Sequence, residues 1–239
     1  MVTDCKKEAK PSSKQNYEFV ANMVHELKTP LTSIIGFIEF LKKGSEKDEK
    51  TREYLYDIID SEAQRLLRLI DDFLLLSQIE TKEYVKLSQK CNIKLELDTV
   101  LKILLPSIKS KNIDLYIDVD KDLYIYASSL RLQQLFSNLI NNAIKYNIPN
   151  GKISIHAFSD KNHIIVSIKD TGIGIHPENI DKIFDRFYRV NTEETSEIPG
   201  NGLGLSIVKD IVVSYNGDIK INSEVGHGSE FIVSFPRTA

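Results

Sequence analysis

The chain has 239 residues, 41% hydrophobic and 27% charged, which is typical of a globular protein and not of a disordered one. Its 31 basic and 34 acidic residues give a formal charge of −3, so there is no electrostatic basis for binding nucleic acid or an anionic membrane surface. Cys5 and Cys91 lie in unrelated contexts and form neither a disulfide framework nor a CxxC metal pair.

The apolar runs are far shorter than the roughly 18 residues that a membrane-spanning helix requires. Residues 1–14 are polar and rich in lysine, and they lack the apolar core of a signal peptide. We therefore expect a cytoplasmic, reduced chain with no membrane segment and with a polar tail over residues 1–14.

The next part of the chain, residues 15–80, predicts two long amphipathic helices. The first runs from a cap at Ser12 or Ser13 to about Lys43, and the second from about Glu49 to about Gln78. One hairpin has too little interior to bury both apolar stripes, so we expect two hairpins to form a four-helix bundle in a homodimer. The first stripe consists of Phe19, Met23, Leu27, Leu31, Ile34, Ile38 and Leu41; the second consists of Leu55, Ile59, Leu66, Ile70, Phe73 and Ser77.

The remainder of the chain, residues 92–239, predicts a second domain after a linker over residues 81–91. Short strands alternate with helices, which indicates an α/β sandwich whose single sheet is covered on one face. The predicted fold class is therefore α+β, with a helical hairpin followed by a sandwich. The expected strands are 92–95, 113–119, 123–126, 152–158, 163–169, 218–222 and 229–235, and the expected helices are 98–110, 129–146 and 203–215.

A histidine on the first helix is a candidate nucleophile. His25 lies about 160° from the centre of the apolar stripe, so we expect its side chain to be exposed. Its position alone favours a solvated surface histidine. Glu26 adjoins it, Thr29 lies one turn on, and Pro30 cannot donate to the Glu26 carbonyl, which together favour a reactive group. Threonine at position 29 excludes the HExxH motif of zinc proteases.

The helix over 129–146 carries a polar stripe. Asn138, Asn142 and Lys145 fall within about 60° of one another, and the apolar residues occupy another face, which consists of Leu132, Leu135, Leu139 and Ala143. A solvated helix face would explain this stripe. Alternatively, the amide oxygens bind Mg²⁺ and the lysine binds phosphate.

Two glycine clusters follow. The first glycine cluster, residues 170–175 (DTGIGI), ends a strand, and the Asp170 carboxylate could accept a hydrogen bond from an exocyclic amine. The second glycine cluster, residues 200–205 (GNGLGL), opens a helix whose N-terminal amides favour phosphate. Turns explain either cluster equally well by itself. Neither a Walker A motif nor a Rossmann fingerprint is present.

Five motifs in this order resemble the sensor histidine kinases of two-component systems. Residues 19–34 (FVANMVHELKTPLTSI) are similar to the phosphoacceptor box, with Val24 where many members have serine. The resemblance extends over residues 15–236 and implies the GHKL (Bergerat) ATP-binding fold for the second domain. The other motifs are residues 138–146 (N box), 170–174 (first glycine box), 184–189 (F box) and 200–205 (second glycine box).

The resemblance also implies roles for the phosphoacceptor box. His25 would take the γ-phosphoryl group of ATP on Nε2, and Glu26 would act as general base at Nδ1. Thr29 would position water when the enzyme dephosphorylates its partner. That partner would be a response-regulator receiver domain, whose aspartate receives the phosphoryl group from His25.

For the ATP-binding domain, the resemblance implies ATP and Mg²⁺ as cofactors. Asn142 would bind the metal with Asn138 nearby, and Asp170 would recognise the adenine amine. A mobile lid would extend from about residue 174 to residue 200. The other expected nucleotide-binding positions are Lys145, Tyr146, Gly172, Gly174, Arg189, Gly200, Gly202, Leu203, Gly204 and Leu205.

Two alternative functions remain at this point. One is a GHKL-type ATPase, but those relatives have a water-activating glutamate four residues before the metal-binding asparagine, where this chain has Asn138. The other is a degenerate nucleotide-binding dimerisation module, against which the intact motifs argue. We expect the chain to be the cytoplasmic part of a membrane-anchored sensor.

Overall fold

The computed structural model describes residues 13–43, 48–81, 88–190, 198 and 200–237. The chain divides into two compact units, one that ends at Asp71 and one that begins at Asp72. Most of the predicted tail, of the linker over 81–91 and of the polar segment of the lid lies outside the described residues. Within the described ranges, no helix is long and apolar enough to cross a membrane.

The first unit contains most of the predicted helical hairpin, whose second helix continues beyond Asp71. Helix α1 spans Ser13–Lys42, and helix α2 spans Glu49–Thr81, three residues longer than predicted. Asp48 caps α2, because its Oδ2 accepts hydrogen bonds from the backbone N–H of Thr51 at 3.2 Å and from the Thr51 hydroxyl at 2.8 Å. These bonds lower the pKa of Asp48.

The hairpin leaves much of its apolar surface uncovered. Leu55 and Leu69 of α2 are buried. By contrast, Leu31 and Ile38 of α1 are 47% and 37% exposed, and Ile70 of α2 is 40% exposed. These three residues belong to the apolar stripes predicted from the sequence. A single hairpin therefore does not bury its own stripes, as expected from its small interior.

The second unit alternates strands and helices nearly as predicted. Its strands are β1 (Gln89–Asn92), β2 (Asp114–Val119), β3 (Tyr124–Ala127), β4 (Lys152–Ser159), β5 (His163–Asp170), β6 (Asp218–Glu224) and β7 (Gly228–Pro236), and its helices are α3 (Ile93–Ser110), α4 (Ser129–Lys145), a 3-10 helix (Pro177–Asn179) and α5 (Gly204–Ser214).

Five of the strands form one sheet in the order β2-β4-β5-β7-β6, and β1 pairs with β3 separately. Strands β2 and β4 are parallel, and the other neighbours in the sheet are antiparallel. Side chains alternate along β4, where Ile153, Ile155 and Ala157 are buried. Helices α3, α4 and α5 contact the sheet. Leu132, Leu135 and Leu139 of α4 are among the buried core residues. The predicted α/β sandwich is confirmed.

The start of α3 corrects the sequence prediction. A strand was expected over 92–95 and a helix from residue 98, but β1 ends at Asn92 and α3 begins at Ile93. The cause is the Asn92 side chain, whose Oδ1 accepts a hydrogen bond from Leu95 N at 3.0 Å and so caps the helix. Its Nδ2 donates to the Lys121 carbonyl at 2.7 Å, which fixes the cap in place.

Candidate active site and nucleotide site

The phosphoacceptor candidate lies on α1, with 80% of its side chain exposed. His25 Nδ1 lies 4.0 Å from Glu26 Oε1, a distance that is too long for a hydrogen bond. Nδ1 is therefore the ring nitrogen nearest a carboxylate. Nε2 is the other nitrogen of this exposed ring, and it is accessible for attack on an incoming group.

The guanidinium of Arg65, on α2, lies close to the Glu26 carboxylate. Arg65 Nη2 lies 3.8 Å from Glu26 Oε2, and Arg65 Nη1 lies 3.6 Å from Glu62 Oε2. The Glu26 carboxylate thus lies between an imidazole and a guanidinium. Reasoning from the sequence missed Arg65, because only its spacing of three residues from Glu62 is visible there.

Thr29 and Pro30 follow the histidine by about one turn. The Thr29 hydroxyl donates to the His25 carbonyl at 3.2 Å, a common bond for a helical threonine. Pro30 is buried, and α1 continues through it without a break in the helix. The Thr29 hydroxyl is therefore held within one turn of the phosphoacceptor candidate.

The polar stripe of α4 is placed as predicted relative to its apolar face. Asn138 and Asn142 are half-buried and Lys145 is exposed. Asn138 Nδ2 is buried without a hydrogen-bond partner among the described residues. A Cβ placed on Gly204, the first residue of α5, would lie 3.5 Å from Asn138 Oδ1. An unpaired polar atom beside the start of a helix fits a site for a polar ligand such as a nucleotide.

Asp170 ends β5 and is only 5% exposed. Its Oδ1 accepts hydrogen bonds from Gly172 N at 2.8 Å and from Ser229 N at 3.3 Å. Burial raises the pKa of this carboxyl, and the two backbone donors oppose that rise only in part. A buried carboxylate held by two backbone amides is a rigid acceptor for a polar ligand.

The first glycine cluster is packed against the end of α4. The backbone N–H of Ile173 donates to the Tyr146 carbonyl at 3.0 Å. A Cβ on Gly172 would lie 2.1 Å from the same carbonyl oxygen, so no other residue fits there. Gly174 has φ +72°, and a Cβ on it would lie 2.0 Å from the Glu224 carbonyl oxygen. The hydrogen bond from Ile173 N to the Tyr146 carbonyl therefore holds the end of α4 against the first glycine cluster.

Two residues that the sequence reasoning missed strengthen this junction. The Thr171 hydroxyl donates to Asn147 Oδ1 at 3.2 Å and accepts from Lys152 N at 2.8 Å. Asn147 is buried, and its Nδ2 donates to the Lys152 carbonyl at 3.1 Å. Asn147 directly follows the N box and Thr171 lies within the first glycine cluster, but a threonine or an asparagine beside a turn carries no signal of its own for a nucleotide site.

The second glycine cluster leads into α5. Gly202 has φ +70°, and a Cβ on it would lie 2.6 Å from the Phe187 carbonyl carbon. Leu203 is fully buried, and its backbone N–H donates to Asn201 Oδ1 at 3.0 Å. Leu205 is half-buried. These contacts place the first turn of α5, which begins at Gly204, beside Asn138.

Arg189 contacts the backbone of the predicted lid. Its Nη1 donates to the Gly200 carbonyl at 3.0 Å, and its Nη2 donates to the Ile198 carbonyl at 2.7 Å. Residues 191–197 and 199 lie outside the described residues. The predicted contact of Arg189 with phosphate stays a prediction, because in this structure the guanidinium binds two backbone carbonyls near the C-terminal end of the predicted lid.

The raised pKa of Asp170 gives the first prediction. The ionised, buried carboxylate lowers stability at a pH above its raised pKa. This loss disappears at about pH 3, well below the raised pKa, where the acid is largely protonated in both the folded and the unfolded state. Asp170→Asn should therefore raise the free energy of unfolding at neutral pH and not at about pH 3. It should also weaken nucleotide binding by roughly tenfold to a hundredfold, since a bond to a charged acceptor is lost.

Urea titrations at both pH values and calorimetric titration with ATP measure these effects. Asp160→Asn is the control, and it should lower the free energy of unfolding at neutral pH. The reason is that the backbone N–H groups of Asn162 and His163 stabilise the ionised carboxylate and so lower the pKa of the exposed Asp160. If Asp170→Asn destabilises the protein at neutral pH and binds ATP normally, both assignments are wrong.

The contact at Gly172 gives a second prediction. Gly172→Ala should reduce ATP affinity by at least about tenfold, because the new methyl group displaces either Tyr146 or the first glycine cluster. Gly36→Ala is the steric control, since no described atom lies within 4 Å of its Cβ position and Gly36 belongs to α1, outside the predicted nucleotide-binding positions. Calorimetry measures the affinity and circular dichroism verifies folding. A folded Gly172→Ala protein with unchanged affinity would show that this junction does not shape the site.

Comparison with known proteins agrees with this geometry. The family model described as the His Kinase A (phospho-acceptor) domain matches residues 15–82. The model described as histidine kinase-, DNA gyrase B- and HSP90-like ATPase matches residues 127–239. The chain is 36% identical to the sensor protein kinase WalK of Staphylococcus aureus, and the match covers 93% of this chain and 37% of WalK.

Solved structures share the fold over most of the chain. The Acinetobacter baumannii histidine kinase AdeS has a TM-score of 0.73 at 26% identity, covering 89% of this chain and 97% of the other. Histidine kinase ThkA, in complex with the response regulator protein TrrA, has a TM-score of 0.72 at 29% identity, covering 92% and 61%. The chain spans 37% to 54% of the length of the curated relatives that it matches. It belongs to the sensor histidine kinases.

Proposed function

We propose that this chain is the catalytic core of a sensor histidine kinase, which transfers the γ-phosphoryl group of ATP to His25. The observation that carries this proposal is the exposed imidazole of His25, with its Nδ1 beside Glu26. The match of residues 127–239 to the histidine kinase-, DNA gyrase B- and HSP90-like ATPase model supports a nucleotide site in the same chain. The phosphoryl group then passes to an aspartate of a response-regulator receiver domain.

The second unit binds the nucleotide in this proposal. Asn142 holds Mg²⁺ through its amide oxygen, Asp170 accepts from the adenine amine, and Lys145 meets the phosphates. The unpaired Asn138 Nδ2 and the close backbone packing at Gly172 support a site built for a ligand at this place. When bound, Mg²⁺ neutralises charge on the transferring group.

The chemical step uses both nitrogens of His25. The Nε2 lone pair attacks the γ-phosphorus, the bond from that phosphorus to the β–γ bridging oxygen breaks, and ADP leaves. Glu26 accepts the Nδ1 proton or stabilises the positive charge that develops on the ring. Arg65 keeps a positive charge on the other side of that carboxylate.

Asn138 distinguishes this proposal from an ATPase of the same fold. A carboxamide cannot accept a proton from water, so position 138 offers no general base for hydrolysis. The nucleophile must then come from elsewhere in the protein, and an exposed histidine beside a carboxylate meets this requirement.

Two partners follow from the proposal. ThkA was solved with a response regulator, which supports a receiver domain as the partner that docks near His25. A second copy of this chain would cover the exposed Leu31, Ile38 and Ile70 in a four-helix bundle.

Thr29, held within one turn of His25, supports a second activity, dephosphorylation of the regulator.

The phosphoacceptor is tested with γ-labelled ATP and Mg²⁺. The wild-type protein should acquire a label that is labile in acid and stable in base, as a phosphohistidine is. His25→Gln should lose the label and keep its ATP affinity, because His25 takes no part in nucleotide binding. His163→Gln is the control, since His163 is also exposed and its Nδ1 lies 3.7 Å from a carboxylate oxygen of Asp160. A label retained by His25→Gln would place the acceptor elsewhere.

The homodimer is tested by sedimentation equilibrium. Wild-type protein should have twice the 27.2 kDa chain mass, and Ile38→Glu should shift it toward 27.2 kDa because a charge cannot be buried in the bundle. Ile103→Glu is the control, since Ile103 is an exposed residue of α3 in the second unit. A wild-type protein that stays at the single-chain mass over all concentrations would contradict the dimer.

A further inference from the structure

We propose that Lys111 is a positioning residue for the metal and phosphate part of the nucleotide site, an inference that rests on the proposed function. Lys111 follows α3 directly and is half-buried. Its Nζ lies 2.8 Å from the Ile144 carbonyl oxygen and 2.9 Å from the Lys145 carbonyl oxygen. One ammonium group thus joins the end of α3 to the end of α4.

The position of this ammonium group has a physical reason. The last carbonyls of a helix have no partner within the helix, and they carry its partial negative charge. A cation that donates to two of them is therefore a strong C-terminal cap. The next carbonyl, that of Tyr146, accepts from Ile173 N at 3.0 Å. Three successive carbonyls at the end of α4 are thus held from outside the helix.

The same stretch of α4 carries the proposed ligands. The backbone N–H of Tyr146 donates to the Asn142 carbonyl at 3.0 Å. The last helical turn of the N box therefore begins at Asn142, the proposed metal ligand, and ends at Tyr146. Lys145, the proposed phosphate contact, contributes one of the two carbonyls that Lys111 binds. If this turn frays, the metal ligand and the phosphate contact lose their fixed positions together.

Lys111 also restrains the turn that follows α4. Its backbone carbonyl accepts from Asn150 N at 3.2 Å, in the loop between α4 and β4. Asp170, by contrast, is held by the backbone N–H groups of Gly172 and Ser229, which lie outside α3 and α4. Lys111 should therefore act on the metal and phosphate contacts and leave the adenine contact nearly unchanged.

The test compares ATP affinity with and without Mg²⁺ in the whole chain. In the wild-type protein Mg²⁺ should strengthen ATP binding. Lys111→Met, which keeps the length of the side chain and removes its donors, should lose about tenfold of this Mg²⁺ advantage and bind adenosine, which has no phosphate, almost normally. Lys111→Arg should restore the advantage, because a guanidinium can also donate to two carbonyls. Lys109→Met, which removes an exposed charge two residues away, should behave as wild type.

The outcomes separate this inference from the proposed function. A wild-type protein whose ATP binding gains nothing from Mg²⁺ would contradict the proposed metal site itself. An intact Mg²⁺ advantage in Lys111→Met would overturn the role of Lys111 alone. Equal weakening of ATP with Mg²⁺ and of adenosine would also overturn it, because that result indicates a merely structural role. If Lys111→Met does not fold, Lys111→Gln, which keeps one donating group, enters the same comparison.

Discussion

The nucleotide site depends on one backbone contact, between the Tyr146 carbonyl at the end of α4 and the first glycine cluster. Ile173 N donates to this carbonyl at 3.0 Å, and a side chain at position 172 would collide with it. The contact fixes Asp170, two residues before Gly172, relative to Asn142, one helical turn before Tyr146. The proposed adenine acceptor and the proposed metal ligand therefore have a fixed separation, although they belong to a strand and a helix that are distant along the chain.

Most of the fold was predictable because the elements of this chain are strongly periodic. The helix over 129–146 and the strands from residue 152 onward lie within about two residues of their predicted bounds, since apolar side chains alternate with polar ones at the period of each element. The failure near residue 92 has a local cause. Residues 93–95 alternate like a strand, but the Asn92 side chain caps a helix, and its second bond, to the Lys121 carbonyl, joins residues 29 positions apart.

The candidate site was predictable where its chemistry is carried by a local motif, and not where it depends on distant backbone. Glu26 adjoins His25, and the glycines follow Asp170, so the sequence alone brings each group together. Lys111 binds carbonyls more than 30 residues away, and Arg65 approaches Glu26 from another helix, so neither leaves a local pattern. The roles of the individual residues stay proposals.

The most direct test of this account is a crystal structure of the chain with a non-hydrolysable ATP analogue and Mg²⁺. The account predicts that the exocyclic amine of adenine donates to the Asp170 carboxylate while Mg²⁺ is bound by the Asn142 amide oxygen, with the Tyr146 carbonyl still bonded to Ile173 N. Adenine bound away from Asp170, or a metal held without Asn142, would contradict it.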